Sequence, residues 1–200
     1  IDVVEIDPEI TRIVHEYLGI PKDTRIRSFN EDARWFVMNC QEKGKYDFIF
    51  GDAFNDLSIP YHLTTREFAA QLAALLKPDG ILLANLIDNY EKGLFLPSYI
   101  RTLEEVFGKG HVNLVAINPS YEGISTWVVV ASRKKIDFDD FIGFTRNERG
   151  FQMRSHVVAQ ERLQEHLAKR PHVILTDDYA PVDNLTAPIF EERFGYKKNR

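Results

Sequence analysis

The stretch Tyr46-Asp47-Phe48-Ile49-Phe50-Gly51-Asp52-Ala53 decides the fold class. Phe48-Ile49-Phe50 is apolar without alternation, which predicts a short strand covered on both faces, as in a parallel sheet flanked by helices. The run ends abruptly in a carboxylate, Asp52, and a polar loop through Asn55 and Asp56 follows. In open α/β sheets ligands bind just beyond the carboxyl ends of the strands. Asp52 stands at that edge and is taken as the chemical centre.

Working outward, Val3-Val4 reads as a strand and Asp7-Pro8-Glu9 as a helix start. Asp7 serves as N-cap, Pro8 fits the first helical position, and Glu9 suits the positive end of the helix dipole. Ile10, Ile13, Val14, Tyr17 and Leu18 then recur at helical spacing before Gly19. Arg25 to Phe29 alternates as a second strand, and a helix through Trp35, Phe36 and Met38 follows Asn30-Glu31-Asp32-Ala33. Downstream of Asp52, Thr64-Thr65-Arg66-Glu67 has the capping-box pattern, with Thr64 and Glu67 as the reciprocal pair. That helix is expected to stop at Lys77-Pro78-Asp79-Gly80 and to be followed by a strand from Ile81 to Leu86. A helix around Ile100 to Phe107 precedes two strand-like runs, Val112 to Ile117 and Ser125 to Ser132. The short link between those runs makes them antiparallel.

Strands alternating with helices and closing in an antiparallel hairpin indicate a doubly wound α/β domain with a mostly parallel sheet. Its expected limits are residues 1–135. Residues 136–200 are expected to form an extension packed on the same domain, with polar helices over Asp137 to Arg146 and Val157 to Lys169 and a tail from His172 to Asp183.

Composition narrows the function classes. The 200 residues carry a formal charge of −5, with 44% hydrophobic and 28% charged residues, ordinary for a soluble globular protein. That negative charge argues against a nucleic-acid surface, which would show a basic stripe. No apolar run approaches the roughly 18 residues that would span a bilayer. The single cysteine, Cys40, has no partner for an internal disulfide, and no His/Cys cluster has metal-ligand spacing. The six histidines form no triad pattern and read as structural or surface residues.

Glu5, Asp32 and Asp52 each fall at the end of a predicted strand. The two oxygens of a carboxylate match a vicinal diol, which suits Glu5 to a ribose. Asp32 is placed to take the exocyclic amine of an adenine. Both could instead cap helices.

These stretches resemble the spermidine synthase family of polyamine aminopropyltransferases. Val3-Val4-Glu5-Ile6-Asp7-Pro8, Glu31-Asp32-Ala33, Tyr46 to Phe54, His62 to Phe68, Leu76 to Gly80 and Asn118-Pro119-Ser120-Tyr121 carry the likeness. The resemblance implies the Rossmann-like fold of class I S-adenosylmethionine-dependent methyltransferases. It implies Glu5 and Asp32, with their neighbours Ile6 and Ala33, as nucleoside ligands, and Asp52 as the catalytic aspartate. Tyr121 would help to hold the attacking amine, although it reads equally as a turn aromatic packed on the sheet. Asn55 and Asp56 fall where the family grips the far end of the amine, and Asn55 replaces the usual aspartate there. Decarboxylated S-adenosylmethionine is the implied co-substrate and a di- or polyamine the acceptor.

The chain opens at Ile1 inside an apolar run, and the resemblance places a strand and a glycine-rich turn ahead of it, so upstream residues are expected. Leu175 to Asp183 resembles the end of synthase-like domains that some bacteria fuse to membrane segments. The expected setting is therefore cytoplasmic, or the cytoplasmic part of a membrane-fused protein, and the family implies a homodimer. Two rival functions share the fold: a methyltransferase using intact S-adenosylmethionine, and a non-catalytic nucleoside-binding domain.

Overall fold

The computed structural model describes residues 1–53, 58–117, 120–138, 144–146 and 152–195, which divide into two compact units, Ile1–Lys43 and Gly44–Arg200.

In the first unit, strands β1 (Asp2–Val4) and β2 (Arg27–Phe29) pair in parallel, with Val3 opposite Ser28. Helix α1 (Pro8–Tyr17) starts as the sequence implies: the Asp7 side chain accepts from the Glu9 amide at 2.8 Å. No residue of α1 is buried, and its apolar face is open, with Tyr17 71% exposed. Helix α2 (Ala33–Asn39) is pinned by Val37, which is buried, and by a Phe29–Phe36 ring contact at 4.8 Å.

The second unit is built on a five-stranded sheet. Strand β3 (Tyr46–Gly51) is followed by a short 3-10 turn (Tyr61–Leu63), helix α3 (Arg66–Leu75) and strand β4 (Leu76–Asn89). Helix α4 (Phe95–Phe107) leads to β5 (Val112–Ala116) and β6 (Ile124–Ser132). After a small antiparallel pair, β7 (Phe144–Arg146) with β8 (Gln152–Arg154), come β9 (His156–Val157), α5 (Gln160–Lys169) and α6 (Val182–Phe194). The sheet order is β3-β4-β6-β5-β9. The β3–β4 pair is parallel, and the expected β5–β6 hairpin is antiparallel, with Leu114 opposite Val129. The core lies where α4 covers this sheet: Phe95, Ile100, Leu103, Leu114, Trp127 and Val129 are all completely buried.

Four local expectations are corrected. Strand β3 is not covered on both faces: Phe48 is 55% and Phe50 73% exposed, and β3 is an outer strand that pairs with β4 alone among the described residues. The helix cap moves by one residue, because the Thr64 hydroxyl donates to the Tyr61 carbonyl and closes the preceding turn. Thr65 therefore caps α3, accepting from the Phe68 amide, and Glu67 turns away to accept from the Asp177 amide at 3.0 Å. Helix α3 does stop before Lys77, but the strand expected from Ile81 begins at Leu76, so Lys77 to Gly80 forms a bulge inside β4. The register jumps from Tyr46–Leu76 to Phe48–Ile81, and Gly80 passes so near Tyr46 that a Cβ would lie 2.9 Å from its carbonyl oxygen. Finally, Asp137 to Arg146 does not end as a helix, since Phe144–Arg146 pairs as β7, and the helix expected from Val157 begins at Gln160 because His156–Val157 pairs with β5.

The tail after α5 is laid over helices α3 and α4. The Leu175 amide donates to Thr102 Oγ1 at 2.9 Å, the Leu175 carbonyl accepts from the Arg66 amide at 2.8 Å, and the Leu175 side chain is fully buried. Helix α6, which the sequence pattern does not announce, is tied to the end of β4 by Asn89 Nδ2 donating to Glu192 at 3.0 Å. No helix among the described residues is long and apolar enough to cross a membrane.

Candidate active site

Glu5 and Asp32 follow β1 and β2 and so stand beyond the carboxyl ends of two parallel neighbours. One carboxylate oxygen of Glu5, Oε1, accepts from the Asp7 amide at 2.9 Å, while its backbone N–H pairs with the Phe29 carbonyl at 3.0 Å. Asn30 reaches across to donate to the Glu5 carbonyl and to Thr11 Oγ1. Asp32 is the N-cap of α2, with Oδ1 accepting from the Arg34 and Trp35 amides at 2.8 and 3.1 Å. The capping use is thus real for Asp32, and it also fixes where the carboxylate points. Ile6 is 69% exposed beside Glu5, and Ala33 opens α2.

In the second unit Asp52 follows the last residue of β3 and is exposed. Asn85 of the neighbouring strand donates through Nδ2 to Asp52 Oδ1 at 2.9 Å. One carboxylate oxygen is thereby tethered to the sheet. Sequence reading missed Asn85; the available signal was only its polarity inside the apolar run Ile81 to Leu86. Asn55 and Asp56 lie outside the described residues.

Tyr121 sits in the link between β5 and β6, at the edge where β4 ends. Its φ of +58° makes it the one non-glycine residue with positive φ among those described. The ring is only 8% exposed and packs parallel to Trp127 at 5.9 Å and against Tyr90 at 5.2 Å. Its hydroxyl is 2.6 Å from His156 Nε2. His156 was read from sequence as an ordinary histidine, and only the β5–β9 pairing brings it here.

Beneath this corner lies Asp88, fully buried at the end of β4. Its two oxygens accept from the Asn89 and Leu96 amides, both at 2.7 Å, and its backbone carbonyl accepts from Trp127 Nε1 at 2.9 Å. Burial pushes the Asp88 carboxyl up to about 6, against the opposing pull of those amides and of Arg170. A Cβ at Gly93 would overlap this carboxylate, so the loop before α4 needs a glycine there. His166 stacks on Tyr90 at 3.9 Å and is held down to about 4 by burial first, then by Arg170 and Arg162. No group of three or more metal-ligating side chains occurs among the described residues.

Against known proteins, the spermine/spermidine synthase domain matches residues 1–140. The chain belongs to the spermine/spermidine synthase family. Among relatives of this synthase family, a polyamine aminopropyltransferase of Vibrio vulnificus is 44% identical over 85 residues, covering 42% of this chain and 28% of that protein. A probable spermidine synthase from Corynebacterium glutamicum superposes with a TM-score of 0.69 at 22% identity, over 90% of this chain and 64% of the other. Human methyltransferase-like protein 13, solved with SAH, superposes with a TM-score of 0.53 at 17% identity, over 92% of this chain and 77% of that one. These structural likenesses establish the class I methyltransferase-like α/β fold expected from sequence. The chain spans less than a third of the length of the curated relatives it matches.

Proposed function

We propose that the protein is an aminopropyltransferase that moves the aminopropyl group of decarboxylated S-adenosylmethionine to an amine. The observation that carries this is Asp52, a carboxylate one residue beyond β3, tethered through one oxygen by Asn85. In the reaction the amine nitrogen attacks the methylene carbon bound to the sulfonium. The carbon–sulfur bond breaks, its electron pair passes to sulfur, and methylthioadenosine leaves as a neutral thioether. The amine must reach the carbon with a free lone pair. A carboxylate at the sheet edge holds the ammonium, accepts its proton and orients the nitrogen. Glu5 and Asp32, with Ile6 and Ala33, would hold the ribose and adenine of the nucleoside. Asn55 and Asp56 would meet the acceptor, and Tyr121 would line its pocket. An adenosyl ligand is supported by two solved neighbours, a spermidine synthase in complex with AdoDATO and the human protein with SAH. The family further suggests a homodimer on the cytoplasmic side, and the sequence pattern suggests residues 1–135 and 136–200 as body and extension.

The test is an aminopropyl-transfer assay on the full-length protein with a panel of diamines, beside titrations with decarboxylated and intact S-adenosylmethionine. Asp52→Asn should lower kcat by about 10²–10⁴-fold, the range of a lost general base, while nucleoside affinity stays within about twofold. Preference for the carboxyl-bearing nucleoside, or full turnover by Asp52→Asn, would refute the proposal.

A further inference from the structure

Asn85 puts an amide into the otherwise apolar run Ile81 to Leu86 of β4. That strand lies between β3 and β6, and Asn85 is opposite Val128 of β6, so its backbone is paired inside the sheet. On the other side Gly51 is opposite Ala84, and one residue further on Asp52 comes level with Asn85. Asp52 itself lies past the end of β3, outside the ladder. The bond from Asn85 Nδ2 to Asp52 Oδ1, at 2.9 Å, therefore joins a rigid mount to a side chain beyond it. Its direction is fixed, because an ionised carboxylate only accepts and an amide nitrogen only donates. Among the described residues the second carboxylate oxygen, Oδ2, takes no hydrogen bond.

We infer that Asn85 is the positioning residue of the proton transfer: by holding Oδ1 it presents Oδ2 of Asp52 to the amine and makes that oxygen the one that takes the proton. The inference rests on the aminopropyl-transfer reading above. In that step the ammonium N–H bond breaks, an O–H bond forms at Oδ2, and the electron pair stays on nitrogen for the attack on carbon. A proton on Oδ1 would instead weaken the bond from Asn85, since a hydroxyl oxygen accepts less strongly than a carboxylate oxygen. A carboxylate free to rotate would present either oxygen at varying distance, and a general base has to stay within hydrogen-bond reach of the proton it removes. Asn85 thus acts on the rate through the geometry of Asp52.

The experiment measures aminopropyl transfer to a panel of diamines by the full-length protein, its Asn85→Leu, Asn85→Gln and Asp52→Asn variants, and the double variant with Asn85→Leu and Asp52→Asn. Asn85→Leu should lower kcat about 10²-fold, the cost of misplacing a reacting group by about 1 Å. Its affinity for methylthioadenosine, read by calorimetry, should stay within about twofold. Position 85 shares a half-buried row with Leu83 and Ile87, so leucine there should not lower the thermal midpoint, whereas loss of an amide needed by the fold would. Asn85→Gln keeps the donor and should recover most of the loss. In the Asp52→Asn background the Asn85→Leu change should cost less than about twofold, because a residue acting through Asp52 has nothing left to act on. An unchanged kcat in Asn85→Leu, or a loss of the same size in both backgrounds, overturns the role of Asn85 and leaves the transferase reading standing. So does a lowered midpoint, or a loss that Asn85→Gln fails to reduce. Absence of transfer by the parent protein to every diamine overturns the transferase reading and this role with it.

Discussion

Asp88 shows how one buried residue sets conditions for its surroundings. Two backbone amides end on its two oxygens, and Trp127 ends on its carbonyl. Its folded carboxyl titrates near 6 against an ordinary value of 3.8, so between those limits the native state binds more protons than the unfolded chain. By linkage, stability from this group is present below about pH 4 and is lost as pH rises through about 6, about 2–3 kcal/mol in all. Asp88→Asn abolishes that slope. It also leaves one amide without an acceptor, because an amide side chain has a single carbonyl oxygen, at a cost of about 1–3 kcal/mol. In urea unfolding, the variant's deficit should be largest at about pH 4 and shrink as pH rises through about 6; a deficit independent of pH would contradict the assignment. His166 works in the opposite sense. Its folded value of about 4 lies below the ordinary 6.5, so its burial destabilises the fold progressively as pH falls from about 6.5.

Among the elements, β3 carries the catalytic candidate at its end and an apolar surface along its length. Phe48 and Phe50 stack at 6.3 Å and are both more than half exposed. Among the described residues the strand pairs with β4, and its phenylalanines give it an exposed apolar surface of the kind that invites association. This 200-residue chain should therefore self-associate in a concentration-dependent way. Phe50→Lys places a charge on that strand and should raise the concentration at which light scattering sets in, with far-UV circular dichroism unchanged. Identical scattering from both chains would show that association runs through another surface.

At the scale of the whole molecule, the second unit is closed by its own tail. Leu175 is buried, and its backbone bonds to both Thr102 and Arg66, while Asp177 donates to Glu67. The Glu67 carboxyl is held below its ordinary range by these contacts with backbone amides and Arg66, which outweigh the opposing effect of burial. Leu175→Ala leaves a cavity between the tail and the two helices and should cost about 2–5 kcal/mol, read as a lower urea midpoint. A change within about 0.5 kcal/mol, the scale of an ordinary surface substitution, would mean that the tail is not part of the cooperative fold.

What the sequence determined by itself was local and periodic. Asp7-Pro8-Glu9 specified the start of α1, and the apolar runs located β1, β3, β5 and β6. A carboxylate placed after β1 and after β3, and one two residues beyond the Asn30 turn, was legible because strand ends follow from hydrophobic pattern. The register of the helix cap was not, since Thr64 and Thr65 are chemically alike and only the Tyr61 carbonyl decides between them. Asn85 against Asp52, His156 and Arg162 against Tyr121, and Glu67 against Asp177 depend on pairings across 33 to 110 residues. Tertiary structure alone made those choices, because a side chain's nearest partner across a sheet is set by strand order and register, and neither is written in the spacing of its own segment.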